Sequence, residues 1–137
     1  MRSLNFDNTR IAQFVAERIG VKPLLQNFQA IGLEENGKLI AGALYYDYNC
    51  RSITAAIAGD GNWNSRWFLR VLFDYPFNQL KVKRLSANTE HDNYSAQRFL
   101  EKSGFELEAV LEEAGRNGDL FVYKMFKQNC RWIGDKK

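Results

Sequence analysis

Between Ser52 and Leu72 the apolar residues change their period. Ile53, Ala55 and Ile57 alternate with Thr54, Ala56 and Ala58, the two-residue repeat of a strand. After Gly59-Asp60-Gly61-Asn62 the apolar side chains recur at Trp63, Trp67 and Val71, with Phe68 and Leu72 on the next row, which is a helical repeat. A strand, a glycine loop and a helix in direct succession commit this stretch to a sheet with a helix packed on it. Such a unit carries ligands at the carboxyl ends of its strands, where a helix N-terminus offers free amides to an anion. Gly59 to Ser65 is therefore the first candidate for a phosphate site, with a plain connecting loop as the alternative.

The flanking sequence extends the sheet on both sides. Asn8 or Thr9 can cap a helix whose residues Ile11, Phe14, Val15 and Ile19 share one face, and Gly20 stops it. Pro23 breaks the chain, a short segment follows around Leu24 and Leu25, and Phe28 to Leu33 reads as a strand. Asn36-Gly37 is a strong hairpin signal, so Lys38 to Tyr48 is the return strand, with a turn at Asp47 to Cys50 before Ser52 to Ala58. Beyond the central helix, Pro76 predicts an end near Tyr75. Val82 to Thr89 is a further strand, Asn93 to Lys102 a helix ended by Gly104, and Phe105 to Glu112 a strand with one wet face. Gly115 to Asp119 turns the chain into a last strand, Leu120 to Phe126. The order predicts an α/β (α+β) domain over residues 1–127, with one mixed, mostly antiparallel sheet and helices on both faces. Residues 128–137 are expected to form a partly loose tail.

Composition narrows the function classes. A chain of 137 residues has room for one domain, and 45% hydrophobic residues with ten Phe, six Tyr and three Trp supply a core. Nineteen Lys and Arg against 16 Asp and Glu give a net charge of +3, which permits an anionic partner without the concentration of charge typical of nucleic-acid domains. Cys50 and Cys130 stand alone, with no CxxC or Cys/His spacing, so neither a disulfide scaffold nor a structural metal is expected. No apolar run approaches the roughly 20 residues of a membrane span, and the first residues carry no signal-peptide core. The expected setting is cytoplasmic, with reduced thiols and no membrane partner.

Asp74-Tyr75-Pro76-Phe77-Asn78-Gln79-Leu80-Lys81-Val82-Lys83-Arg84-Leu85, then Asn93, then Arg98-Phe99-Leu100-Glu101-Lys102-Ser103-Gly104-Phe105 form an ordered set of segments. In order and spacing, over roughly residues 60 to 126, this set resembles the GNAT acyltransferases. It is most similar to the branch of ribosomal-protein N-terminal acetyltransferases. The resemblance implies acetyl-CoA as cosubstrate, with its pantetheine arm between two splayed central strands, here Ser52 to Ala58 and Val82 to Thr89. It also implies an amine acceptor on a protein or a small molecule. Two departures stand out: Leu100 occupies a position often held by tyrosine, and Asp60, Trp63 and Ser65 fall where the family's Arg/Gln-x-x-Gly-x-Gly/Ala pyrophosphate loop has a cation or amide, a glycine and a small residue.

Acetyl transfer to an amine needs a neutral amine, donors that polarise the thioester carbonyl, and a proton for the departing thiolate. The resemblance implies that the strand near Ile57 and Ala58 exposes backbone groups for the carbonyl; an ordinary ladder is the alternative. With Gly59, Gly61, Asn62, Trp63, Asn64 and Ser65 these residues make up the expected cofactor-binding set. Asn93 joins them as the family asparagine on the CoA arm, or else as a plain N-cap. For the thiolate's proton the candidates are Ser95 and Tyr94, with a helix cap as the other reading of Ser95. Glu90 is the first candidate base, beside His91, Glu34 and Glu112, although none stands out and His91 reads equally as a solvated loop residue. Trp63, Trp67 and Phe68 are expected on the buried face of their helix. Arg66, Arg70, Lys81, Lys83 and Arg84 are expected either as an anion patch or as a scattered solvated face. The expectation is an acetyl-CoA-dependent N-acetyltransferase. Its rivals are a non-catalytic GNAT-like protein-binding domain that has lost CoA, favoured by Asp60 and Trp63, and a small nucleic-acid-binding domain. The oligomeric state stays open, a homodimer included.

Overall fold

A computed structural model describes residues 1–20 and 27–134. The segment expected around Leu24 and Leu25 lies outside the described residues. The element order is β1 (Arg2–Asn5), α1 (Asn8–Ile19), β2 (Phe28–Glu35), β3 (Lys38–Tyr46), β4 (Ser52–Gly59), α2 (Arg66–Asp74), β5 (Arg84–Glu90), α3 (Tyr94–Ser103), β6 (Glu106–Leu111) and β7 (Leu120–Phe126). The strands form one seven-stranded sheet in the order β1-β2-β3-β4-β5-β7-β6, antiparallel except for the central β4–β5 pair.

The hairpin is where the sequence puts it. Asn36 and Gly37 both take positive φ, 55° and 84°, and join Glu35 to Lys38, as a tight primed turn requires. Alternation along β2 and β3, with one register slip opposite Leu33 and Glu34 that turns Leu39 to the other face, divides the side chains between two cores. Ala30, Leu39 and Leu44 face α1 with its Ile11, Phe14 and Val15. Ile31, Ala43 and Tyr45 face the layer that holds Phe68, Leu72 and Leu100 of α2 and α3. Gly32 and Gly42 are cross-strand partners beneath α1, and a Cβ on Gly42 would stand 2.7 Å from Ile11 Cγ2. The missing side chains let α1 sit down on the sheet.

Several boundaries differ from the sequence expectation. β1 was not anticipated, because four residues on a sheet edge are too few to display alternation. β3 stops at Tyr46 rather than Tyr48, where Asp47 turns to φ 58°. α2 begins at Arg66, capped by Ser65, so Trp63 belongs to the preceding loop. Trp67 is on the outer side of α2 and 49% exposed, a correction to its expected burial; Phe68 beside it is fully buried. The α-helix ends at Asp74 with Tyr75 as its C-cap, as Pro76 predicts, but a π-helical turn over Tyr75–Gln79 carries the path further. Val82 is buried yet precedes the strand, which starts at Arg84.

At the far edge, the register of β6 on β7 slips between Leu107 and Ala109. The bulge breaks the expected alternation, leaving Leu107, Val110 and Leu111 all exposed on an outer strand. Residues 128–134 are packed rather than loose. Cys130 is buried, the Trp132 ring stacks on Phe73 with centroids 6.4 Å apart, and Trp132 Nε1 donates to the Ser103 carbonyl at 2.9 Å. No helix among the described residues is long and apolar enough to cross a membrane.

Candidate active site

The central parallel pair is short. β4 and β5 pair only at Ser52–Arg84, Ile53–Leu85 and Thr54–Ser86, after which β4 stays with β3 and β5 with β7. The two strands therefore diverge toward their carboxyl ends, and the β5-facing edge of Ala55 to Gly59 has no ladder partner. Ile57 and Ala58 are laddered to Ala43 and Gly42 on the β3 side, and Ile57 lines the cleft on the other. The cleft has a volume of about 180 Å³, with Ala55, Ile57, Ala87 and Thr89 on its strands and Asn93 and Phe99 on the side of α3.

A second hollow of about 340 Å³ lies between α2 and α3, lined by Asn64, Ser95, Arg98, Phe99 and Lys102. Phe99 borders both spaces. Arg98 and Lys102 enter the sequence reading only as members of a motif segment with no role assigned, although their i, i+4 spacing, with Ser95 one turn before Arg98, places all three along one face of α3. Neither cation has an ion-pair partner among the described residues. At the N-terminus of α2, the Phe68 amide donates to Ser65 Oγ at 3.3 Å and the Leu69 amide to the Ser65 carbonyl at 3.0 Å. The amides of Arg66 and Trp67 have no acceptor among the described residues, as befits a helix start.

The loop between β4 and α2 is built differently from the expectation. Trp63 adds no bulk to the outer surface of the loop. Its indole folds inward over Gly59, where a Cβ would come within 2.4 Å of it, and packs on Phe68 and Phe99 at centroid distances of 6.1 and 5.1 Å. Asp60 is not a bare like charge. Arg18 of α1 binds it in a two-pronged pair, Nη2 to Oδ2 at 2.8 Å and Nε to Oδ1 at 3.0 Å, while the same guanidinium covers the Phe14 ring at 3.4 Å. That hydrogen-bonded pairing holds the Asp60 carboxyl below its ordinary pKa and the Arg18 guanidinium above its own. The Asp60 amide donates to the Ile40 carbonyl at 2.8 Å, and Arg2 Nη1 donates to the Asn62 carbonyl at 3.1 Å. Gly61 alone is unbraced, at φ 65° with open space around it.

Glu90, the candidate base, is occupied. Its two carboxylate oxygens accept the backbone N–H groups of Arg116 and Asn117, each at 3.1 Å, and these bonds hold its pKa below the usual range. His91 Nε2 contacts the Asn117 carbonyl at 2.9 Å, and Arg116 Nη2 donates to the Ile19 carbonyl of α1 at 2.9 Å. Glu90 and His91 thus tie the β6–β7 loop to the end of β5, and Arg116 ties that loop to α1. Asn93 caps α3, accepting from the Ala96 amide at 3.2 Å, and Ser95 Oγ donates to the same Asn93 Oδ1 at 3.3 Å. Tyr94 is 67% exposed and points away from both hollows' linings. Glu34 is engaged by Asn5 Nδ2 and Arg10 Nη1, and Glu112 lies exposed beyond β6. The cations expected as a patch divide: Arg66 and Arg70 border a hollow with Trp67, Lys83 and Arg84 another with Arg51, and Arg84 is bound to Glu108.

The structure matches several solved structures at full length. A point variant of the spermidine N-acetyltransferase of Vibrio cholerae superposes with a TM-score of 0.79 over 98% of this chain and 99% of that one, at 15% identity. The chain has the GNAT acetyltransferase fold. The Vibrio cholerae enzyme in complex with CoA and spermine matches at a TM-score of 0.75 and 17% identity, covering 97% of this chain and 98% of that chain. A dodecameric form of the same enzyme matches at 0.71 and 17%, with 93% of each chain covered. No protein-family model matches the sequence, and no curated protein matches it either. The GNAT fold of this chain is a feature of its three-dimensional arrangement far more than of its residue identities.

Proposed function

We propose that this GNAT-fold chain is an acetyl-CoA-dependent N-acetyltransferase acting on an amine of a protein or small molecule. The observation that carries the reading is the early end of the β4–β5 ladder, which opens a cleft onto Asn93 and, around Phe99, a cationic hollow between α2 and α3. A CoA-shaped ligand has two parts to match: a narrow arm and a polyanionic nucleotide. The cleft suits the first, and Arg98, Lys102 and the open amides of Arg66 and Trp67 suit the second. That a GNAT-fold neighbour was solved with CoA and spermine supports the assignment of cosubstrate and of an amine acceptor.

Transfer then proceeds by attack of the neutral amine nitrogen on the thioester carbonyl, forming the C–N bond as the C–S bond breaks and the thiolate departs. The open edge of β4 near Ile57 and Ala58 supplies the carbonyl's donors. Ser95, held to Asn93 where the cleft meets the hollow, gives its proton to the thiolate and is reprotonated through solvent by the proton that the attacking nitrogen sheds as the amide forms. With both its oxygens engaged and its pKa lowered, Glu90 positions the β6–β7 loop, so the acceptor must arrive as the free amine or lose its proton to solvent.

A second reading is a GNAT-fold binding domain without CoA, which the tight Trp63–Phe99 contact at the meeting of the two hollows favours. Calorimetric titration of the protein with acetyl-CoA and with CoA separates the two. Saturable binding of both at micromolar to low-millimolar ligand is expected; absence of heat at millimolar ligand transfers the assignment to the binding domain.

A further inference from the structure

Thr89 occupies the third position beyond the last β4–β5 pair, on the strand that forms one wall of the cleft. Leu85, Ala87 and Thr89 alternate as the buried residues of β5, and Thr89 is 6% exposed. Its Oγ1 is fully buried and has no hydrogen-bond partner, and no other buried side-chain nitrogen or oxygen among the described residues is left in that state. A valine would fill the same volume with the same β-branched fit to a strand and no orphaned hydroxyl. The chain therefore carries, at the cleft wall, a polar atom that folding alone penalises.

What surrounds the hydroxyl limits what can satisfy it. The cleft is small, about 180 Å³, and its lining combines apolar Ala55, Ile57, Ala87, Phe99 and Leu100 with polar Asn88, Glu90, Asn93 and Arg116. Asn93 Oδ1 already accepts from the Ala96 amide and from Ser95, each Glu90 oxygen accepts one loop amide, and neither residue is hydrogen-bonded to the Thr89 hydroxyl. A slender, mostly apolar chain bearing a carbonyl is the ligand chemistry that such a cleft accommodates. We infer that Thr89 Oγ1 donates a hydrogen bond to a carbonyl oxygen of the acyl-pantetheine arm, making Thr89 a positioning residue that sets the depth of the arm in the cleft. The inference rests on the CoA reading proposed above. It adds a residue that neither the motif segments nor the capping pattern of α3 points to.

The test uses the full chain and two variants, Thr89→Val and Thr89→Ser, titrated calorimetrically with CoA and with adenosine 3′,5′-bisphosphate, which has the nucleotide end but no arm. Thr89→Val is expected to raise the Kd for CoA about three- to tenfold, the worth of one neutral hydrogen bond, and to leave the bisphosphate Kd unchanged. Without ligand, its Tm should stay level or rise by about 3 °C, because a buried orphan has been removed. Thr89→Ser, which keeps the hydroxyl, should retain CoA affinity within about twofold of the parent. Equal CoA affinity in Thr89→Val and the parent overturns the inference alone and leaves the hydroxyl with no part in ligand binding. A lowered Tm, or equal weakening of CoA and bisphosphate, also overturns it, by giving the hydroxyl a structural task. If the parent itself fails to bind CoA, the inference and the acetyltransferase reading fall together.

Discussion

Asp60 shows how a single side chain changes meaning between sequence and structure. Read in sequence, it is a negative charge in a loop expected to bind phosphate, and its removal should help an anion approach. In the fold, Arg18 reaches it from α1 across 42 positions and binds it with both prongs. The loop is thereby braced and its charge locally balanced. The pair is half exposed, so its contribution to stability is at most about 1 kcal/mol. The sign with pH follows from the lowered folded-state pKa of Asp60: the contribution is fully present above the unfolded value of about 4 and is lost as pH falls through the folded value. Asp60→Asn should accordingly lower Tm slightly at pH 7, and the difference from the parent should shrink as pH falls below about 4. Thermal unfolding followed by circular dichroism across this range checks it; a difference that persists undiminished in acid would assign the effect of Asp60 to something other than its charge.

At the level of elements, the packing of α1 rests on two glycines that a strand propensity scale would count against β2 and β3. Gly32 and Gly42 face each other across the pair and leave room for Ile11 and Val15. A Cβ at position 42 would lie 2.7 Å from Ile11 Cγ2 and 3.2 Å from Val15 Cγ2, both on side chains that are fully buried. Gly42→Ala should therefore cost about 1–3 kcal/mol of overpacking, measured as a lowered urea midpoint at unchanged m-value. An alanine accepted with no loss of stability would mean that α1 shifts outward freely. The same helix was legible in the sequence from the spacing of Ile11, Phe14, Val15 and Ile19, and its capping was nearly so: the N-cap is Asp7, one residue before the expected Asn8. What the pattern could not convey is which strand residues the helix would touch.

Across the whole molecule, the chain closes on itself through its last described residues. Residues 128–134 follow the final strand around the end of the sheet and set Trp132 against Phe73, with Trp132 Nε1 on the carbonyl that ends α3 and Arg131 on the Lys102 carbonyl beside it. This segment therefore joins α2 to α3 along one border of the cationic hollow, to which Trp132 also contributes. Trp132→Ala removes a half-buried ring and one hydrogen bond, and about 2 kcal/mol of stability should go with them. Chemical denaturation would register this, and an unchanged midpoint would return these residues to the status of a loose tail. Because the ring also borders the hollow, the variant is a poor choice for separating binding from stability, in contrast to Thr89→Val.

Local residue order was enough for the strands and helices from α1 onward, the hairpin at Asn36-Gly37 and the stops at Gly20 and Gly104, because each depends on residues within a few positions of one another. Asn93 was legible as a cap because a cap is a local feature, whereas the open edge near Ile57 and Ala58 entered only as what the resemblance implies. The inward turn of Trp63 over Gly59, the pairing of Asp60 with Arg18 and the hydrogen bonds of Glu90 to the amides of Arg116 and Asn117 come from the three-dimensional fold alone. Only it brought Ser95, Arg98 and Lys102 against Asn64 of the loop before α2, and left Thr89 Oγ1 buried without a partner. These are matters of which distant groups meet. A side chain's charge, hydrogen bonding and exposure are set by neighbours that hydrophobic periodicity brings close without naming them.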